Sequence, residues 1–352
     1  MGEIKFMKGN EALAEAAIRA GLQGYFGYPI TPQSEVVEYL AMEEPKHRYV
    51  LIQAESEVAS VNMLYGASAA GARVMTTTSS PGFSLMQEGI SYIACAELPC
   101  IFVNVERGGP GLGTIQPSQG DYFQATKGGG HGDYHVIVFA PNSVQEMVDH
   151  CFLAFELADK YRTPAMLLSD GAIGQMMEKV VLPKPIPYKP DKPWATTGKT
   201  PDRERNIITS LYIQSETMEE KNRVLQEKYK KIKENEIRFE EYQIEDAEII
   251  ITAFGLTSRV CKKAVDLARE AGIKMGLFRP ITLWPYPEER IAELAGREQV
   301  IFFLSVEMNT GQMVEDVRLA VNGQKPVYFY GRQGGIIPTP EEILNIAKEH
   351  IK

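Results

Sequence analysis

Three residue types in this chain could do chemistry together: a carboxylate, a threonine and an arginine, each beside small or conformationally fixed neighbours. Glu57 precedes a stretch of small and apolar residues, Val58-Ala59-Ser60-Val61-Asn62-Met63-Leu64-Tyr65-Gly66-Ala67, that reads as a closely packed helix. A carboxyl at the head of such a helix can act as a placed acid or base, or it can simply satisfy free N–H groups and the helix dipole. Thr31 stands in Tyr28-Pro29-Ile30-Thr31-Pro32, between the apolar run Gly24-Tyr25-Phe26-Gly27 and the helix-like run Ser34-Glu35-Val36-Val37-Glu38-Tyr39-Leu40. The two prolines restrict φ and remove two donors, so the loop is organised before a ligand arrives, and the threonine hydroxyl can both donate and accept. The simpler reading is a rigid turn with Thr31 or Ser34 as an N-cap.

Arg107 follows the apolar run Ile101-Phe102-Val103-Asn104-Val105 and precedes Gly108-Gly109-Pro110-Gly111. A guanidinium fork on a glycine-rich loop can grip a carboxylate while the backbone approaches closely. The alternative is a loop arginine paired with Asp121 or Glu106. Thr77, Thr78, Ser79 and Ser80, ahead of Pro81-Gly82, form another polar strand end, open either to lining the same cavity or to turn chemistry. The loop Lys127-Gly128-Gly129-Gly130-His131-Gly132-Asp133 lacks the spacing of a P-loop or a dinucleotide fingerprint. His131 and His135 are four apart, but the glycine between them breaks a helix, which argues against a zinc pair.

The elements that must position these residues alternate in a βαβ rhythm up to about residue 180. Strand-like runs are Val50-Leu51-Ile52, Val74-Met75-Thr76-Thr77, Ile101 to Val105, Val136-Ile137-Val138-Phe139 and Ala165-Met166-Leu167-Leu168, with a helix expected over 144–161. Such runs suit an α/β fold with a doubly wound parallel sheet covered on both faces, and the carboxyl ends of its strands are where ligands bind. Residues 183–206 read as a Pro-, Lys- and Thr-rich linker, followed over 216–241 by a charged helix with Leu225, Tyr229 and Ile232 on a narrow apolar stripe. A second α/β unit starts at Glu248 and brings further strands at Met275, Val300 and Val327. The division expected is 1–185, 186–245 and 246–352.

Composition narrows the function classes. The 352 residues are 44% hydrophobic and 24% charged, with a formal net charge of −9 and a pI near 5.3. That balance fits two ordinary cores and argues against nucleic acid or an anionic membrane as partner. With no leader-like or membrane-spanning apolar run, a cytoplasmic protein is expected. The four cysteines, Cys95, Cys100, Cys151 and Cys261, are scattered and lack CxxC spacing, so buried thiols are expected rather than disulfides or clusters.

The order of the Tyr28–Pro32 loop, the Gln53-Ala54-Glu55-Ser56-Glu57-Val58-Ala59 segment and the Arg107 glycine loop resembles the pyrimidine-binding subunit of thiamine-diphosphate-dependent 2-oxoacid:ferredoxin oxidoreductases. The resemblance covers most of the chain. It implies a pyrimidine-type thiamine-diphosphate fold in the first unit and a transketolase C-terminal-like domain in the second, the latter mainly buttressing subunit contacts. It also implies that a glutamate bonds N1′ of the aminopyrimidine; Glu55 and Glu57 both remain open, with Glu57 preferred for its nine-residue spacing to Gly66. Tyr28, Pro29 and Ile30 would contact the cofactor, Thr31 the substrate carboxylate or 2-oxo group, and Arg107 the substrate carboxylate or part of coenzyme A. Gly108, Gly109, Ser80 and His131 are further candidates for substrate contact.

The family's diphosphate-binding Gly-Asp-Gly…Asn motif has no match: Ser169-Asp170-Gly171 lacks a suitably placed asparagine, and Asn206 is too far. The resemblance therefore implies a partner subunit holding the diphosphate, Mg²⁺ and at least one [4Fe–4S] cluster, with a gamma-type subunit, coenzyme A and ferredoxin completing the system. A homodimer is expected when the partners are absent. The implied reaction is oxidative decarboxylation of a 2-oxoacid to acyl-coenzyme A. Thr114-Ile115-Gln116-Pro117-Ser118-Gln119-Gly120-Asp121-Tyr122 resembles the branched-chain (2-oxoisovalerate) members most, then 2-oxoglutarate enzymes. A non-redox transketolase-like enzyme and a non-catalytic assembly subunit are the other classes.

Overall fold

Runs of buried β-branched and aromatic residues separated by helix-period segments produce two α/β units in the computed structural model, which describes residues 2–187 and 191–351. The first unit contains β1 (Glu3–Lys8), α1 (Gly9–Arg19), β2 (Gly24–Gly27), α2 (Ser34–Glu43), β3 (Val50–Gln53), α3 (Glu57–Ala69), β4 (Val74–Thr78) and α4 (Ser80–Cys95). It continues through β5 (Ile101–Glu106), α5 (Tyr122–Thr126), β6 (Ile137–Phe139), α6 (Val144–Tyr161), β7 (Ala165–Asp170), α7 (Gly171–Gln175) and β8 (Met177–Leu182). After the connecting helix α8 (Ser215–Asn235) come β9 (Phe239–Tyr242), β10 (Ile249–Thr252), α9 (Gly255–Glu270), β11 (Met275–Pro280) and β12 (Thr282–Trp284). The chain closes with α10 (Glu288–Ala295), β13 (Phe302–Glu307), α11 (Met313–Val321), β14 (Val327–Gly331) and α12 (Pro340–His350).

The main sheet has seven strands in the order β12-β6-β7-β5-β4-β2-β3, parallel except for the edge strand β12. β12 comes from the second half of the chain, so the two units share a sheet and the boundary near residue 245 is not a clean cut. The second sheet, β14-β13-β10-β11-β9, is parallel except for β9. In β10 the alternation of a strand divides two cores: Ile250 joins the cluster shared with the first unit, while Ile249 and Ile251 join one on the opposite face.

Helix α8 buries Leu225, Tyr229 and Ile232 in the shared core. Burying each of the two aliphatic side chains contributes about 1.5–3 kcal/mol, enough to fasten an otherwise charged helix. The expected linker is not free. Thr196 N–H donates to Ala69 O (2.8 Å), Ile186 N–H to Arg19 O (2.7 Å), and the Arg162 guanidinium lies 4.6 Å from the Trp194 ring centre. Sequence reading also passed over β1 and β8, which form a separate antiparallel ribbon; their short mixed pattern does not distinguish a ribbon from a loop.

Candidate active site

Tyr28–Pro32, Glu57, Ser79–Gly82 and Arg107 follow β2, β3, β4 and β5, which are neighbours in the main sheet. Parallel pairing places all four segments at the same edge, so residues far apart in sequence meet there. The Tyr28–Pro32 loop is fastened from several sides. Pro32 O accepts from Asn10 Nδ2 (2.8 Å) and Gln175 Nε2 (3.2 Å). Buried Gln33 donates to Tyr28 O (3.3 Å) and accepts from the Thr77 hydroxyl (2.5 Å), which also meets Tyr25 OH (2.6 Å). Tyr28, Pro29 and the Thr31 side chain are left exposed.

Arg107 joins this loop to its own. Its guanidinium donates to Thr31 O (3.0 Å) and Leu112 O (2.9 Å), while Nε is buried with no partner among the described residues. It pairs with neither Asp121 nor Glu106, which removes the alternative weighed from the sequence. The Ser80 hydroxyl fixes the base of the loop, accepting from Arg107 N–H (3.0 Å) and donating to Arg107 O (3.3 Å).

Glu57 is 4% exposed at the first turn of α3, where Ser56 caps the helix by accepting from Ala59 N–H (3.2 Å). No hydrogen bond to its carboxyl is formed among the described residues. The carboxyl lies over Gly82: a Cβ there would stand 2.3 Å from Glu57 Oε1 and 2.2 Å from Thr78 Oγ1. Thr78 Oγ1 and Ser79 Oγ are buried with no hydrogen-bond partner among the described residues. Buried polar groups are rarely left unpaired, so this group of acceptors and donors is suited to a polar ligand. Glu55, by contrast, is exposed.

Glu106 and Asp121, weighed from the sequence as partners for Arg107, instead form a carboxylate cluster with Asp170. Glu106 Oε1 accepts from Asp121 N–H (2.8 Å), and Asp121 accepts from Asn104 Nδ2 (2.8 Å). Burial, then the nearby Asp121 and Asp170 charges, hold the Glu106 carboxyl well above its usual range, and burial raises Asp121. The cluster depends on register, since β5 and β7 pair Glu106 with Asp170, and no local motif signals that.

Asp170 caps α7, accepting from Ala172 N–H (2.8 Å) and Ile173 N–H (3.1 Å). Burial pushes it from 3.8 up to about 6. A raised acid binds its proton more tightly folded than unfolded, so its contribution is most favourable below about pH 4 and declines as pH rises to about 6. Asp170→Asn retains a capping acceptor. It should raise the thermal midpoint by about 2–4 °C near pH 8 and leave it unchanged near pH 4; equal shifts at both pH values in scanning fluorimetry would contradict this.

A cleft of about 650 Å³ opens between the two units, lined on one side by Ser80, Arg107, Gly109 and Asp121 and on the other by Asn309 and Gln312. The second unit's residues were not singled out from sequence, because only the fold brings them here. Gly108 is buried at the base of this loop, where a Cβ would meet Thr114 and the Gly334–Gly335 backbone. His131 is not in this cleft; it lines a separate cavity with Cys95 and Tyr134. His135 stacks on Trp284 at 4.5 Å, and burial pushes its imidazole down to about 4. Cys100, Cys151 and Cys261 are buried. Among the described residues no group of three or more His, Cys, Asp or Glu side chains is arranged to hold a metal ion, and no helix is long and apolar enough to cross a membrane.

Residues 15–242 match the family model described as "Pyruvate flavodoxin/ferredoxin oxidoreductase, thiamine diP-bdg", and 247–343 match "Pyruvate:ferredoxin oxidoreductase core domain II". The chain belongs to this family. It is 51% identical over 346 residues to ketoisovalerate oxidoreductase subunit VorB of Methanothermobacter marburgensis, covering 98% of this chain and 97% of that one. It is 38% identical to 2-oxoglutarate synthase subunit KorA of Methanocaldococcus jannaschii, covering 97% and 98%. A solved 2-oxoglutarate:ferredoxin oxidoreductase from Magnetococcus marinus, with 2-oxoglutarate, coenzyme A and succinyl-CoA bound, superposes with a TM-score of 0.88 at 29% identity. That match takes in all of this chain but only 66% of that one. A split-gene transketolase shares the fold alone, with a TM-score of 0.61 at 12% identity.

The protein is thus a subunit of a multi-subunit 2-oxoacid:ferredoxin oxidoreductase, in a family that binds thiamine diphosphate. The Glu57 pocket fits the aminopyrimidine end of that cofactor: it offers a largely buried carboxyl, two buried hydroxyls that, like that carboxyl, have no hydrogen-bond partner among the described residues, and a glycine where any side chain would intrude. At the other end of the cofactor, Asp170 Oδ1 is committed to two helix N–H groups.

Proposed function

We propose that this oxidoreductase subunit supplies the pyrimidine half of a shared thiamine diphosphate site in a cytoplasmic, coenzyme-A-dependent enzyme that oxidatively decarboxylates 2-oxoisovalerate. The observation that carries the reading is the unpartnered Glu57 carboxyl, buried against Gly82 at the edge where four loops converge. Glu57 would hold the pyrimidine ring by a hydrogen bond and control a proton there, with Tyr28, Pro29 and Ile30 bordering the ring. When bound, the cofactor supplies the nucleophilic carbon that a 2-oxoacid needs in order to lose its carboxylate.

Arg107 and the Thr31 hydroxyl would hold the substrate carboxylate, with Ser80, Gly108 and Gly109 forming the wall beside them. Arg107→Lys keeps the charge, but a single ammonium cannot reproduce the planar fork that spans Thr31 O and Leu112 O. Its KM for the 2-oxoacid should rise about tenfold, the equivalent of about 1.4 kcal/mol; an unchanged KM in steady-state kinetics would remove Arg107 from substrate binding.

The diphosphate, Mg²⁺ and a [4Fe–4S] cluster would belong to a partner subunit, with a gamma-type subunit and ferredoxin completing electron transfer. Exposed Tyr28, Ile52, Val58, Met63 and Leu85 give this edge an apolar surface suited to that partner, or to a second copy of the chain when the partner is absent. The 2-oxoisovalerate assignment is supported by 49–51% identity to two ketoisovalerate oxidoreductase subunits, against 36–38% to four archaeal 2-oxoglutarate synthase subunits.

The test is viologen reduction by the enzyme purified with its natural partners, given coenzyme A and 2-oxoisovalerate, 2-oxoglutarate, pyruvate or indolepyruvate in turn. Coenzyme-A-dependent reduction that is fastest with 2-oxoisovalerate supports the proposal. Faster turnover of 2-oxoglutarate overturns the substrate, and decarboxylation without electron transfer overturns the redox role.

A further inference from the structure

Asp121 reaches the cleft on a loop that the first unit does not hold by itself. The second unit takes up the polar groups on both sides of it. Gln119 Oε1 accepts from Met308 N–H (3.0 Å) and the Thr257 hydroxyl (2.7 Å), while its Nε2 donates to Phe254 O (2.8 Å). Asn309 Nδ2 donates to Gln119 O (2.7 Å). Nearest to Asp121, Gln312 Nε2 donates to Gly120 O (2.7 Å) and Gln312 Oε1 accepts from Phe123 N–H (2.8 Å), so one side chain brackets the acid from before and after.

The clamp is itself rigidly mounted. The buried Glu307 carboxyl accepts from the N–H groups of Gln312 (3.1 Å), Met313 (2.8 Å) and Val314 (2.8 Å), and from Asn309 Nδ2 (2.9 Å). Side chains fixed by a supporting set of hydrogen bonds are what hold a binding geometry to fractions of an ångström. Asp121, Ser80, Arg107 and Gln312 all line the cleft.

We infer that Gln312 is a positioning residue for the active-site cleft: through Gly120 and Phe123 it holds Asp121 facing the substrate that Arg107 grips. The second unit is therefore a working wall of the site, not only a buttress for subunit contacts. This rests on the proposal that the Arg107 cleft belongs to the active site.

The experiment uses the complete enzyme with its partner subunits and compares Gln312→Ala with Gln312→Met. Methionine fills similar volume but makes neither hydrogen bond, so both variants should be equally impaired. KM for the 2-oxoacid or for coenzyme A should rise roughly tenfold in each. Turnover should stay within about threefold, and the thermal midpoint within about 3 °C, because the bonds lie at or near the surface. Wild-type KM values in both variants, restoration by methionine alone, or a joint fall of turnover and midpoint without a KM change would each overturn the inference. Arg107→Lys in the same preparation separates the two levels. If its KM values are wild type, the proposal that the Arg107 cleft holds substrate fails whatever Gln312 does; if its KM rises while the Gln312 variants are normal, only the positioning role fails.

Discussion

Glu57→Gln should leave an assembled, folded enzyme whose turnover is lower by about 10²–10⁴, the range for losing a placed acid–base group. The fold should tolerate the change because the two side chains are nearly isosteric and the carboxyl makes no hydrogen bond among the described residues that would be lost. An unpartnered buried carboxyl is at least as costly as an unpartnered amide, so the thermal midpoint should hold or rise. Ser56 continues to cap α3, since that bond does not involve residue 57. Rate measurements under saturating thiamine diphosphate, with cofactor affinity measured separately by calorimetry, distinguish loss of chemistry from loss of binding. Turnover near wild type would return the glutamate to a helix-end role and favour a non-catalytic assembly subunit.

Gly82→Ala should be nearly as damaging for a different reason. Gly82 lies in the first turn of α4, where alanine is the better helix former by about 1 kcal/mol. Its Cβ, however, would stand 2.3 Å from Glu57 Oε1 and 2.2 Å from Thr78 Oγ1, closer than atoms can approach. Both obstacles are side-chain tips, so the chain yields by turning them away rather than by unfolding. The expected product is a stable subunit with a misplaced carboxyl and activity lower by about 10²-fold, the cost of an ångström-scale displacement of a reacting group. Thermal denaturation together with turnover checks this. An active Gly82→Ala enzyme would show that the Glu57–Gly82 contact is not the cofactor pocket, and an unfolded one would show that the glycine is required for packing.

How much was legible beforehand follows from how local each signal is. Helix α6 runs over the expected residues 144–161 because its apolar periodicity is written into neighbouring positions, and α3 starts at the expected Glu57, ahead of a local run of small and apolar residues. The main strands were readable as apolar runs for the same reason. β12 was missed: Thr282-Leu283-Trp284 is too short to show a period, and it becomes a strand only because β6 offers an edge across the unit boundary. The 183–206 segment looked like a linker from its prolines and lysines, yet its described part is tied down by bonds to residues as distant as Arg19 and Ala69.

The sequence by itself determined the fold class, the family and the identity of the loops that follow β2, β3, β4 and β5, since each depends on residues within a few positions of one another. It favoured Glu57 over Glu55, two apart on the same stretch, only by spacing to Gly66; the difference in their surroundings is tertiary, with Glu55 exposed and Glu57 nearly enclosed against Gly82. It could not show that Arg107 spans two backbone carbonyls instead of pairing with Asp121, that Glu106, Asp121 and Asp170 form one cluster, or that Gln312 clamps the Asp121 loop from 192 residues away. Those relations depend on strand register and on the docking of one unit against the other. They are set by the packing of the whole chain, and no short segment encodes them.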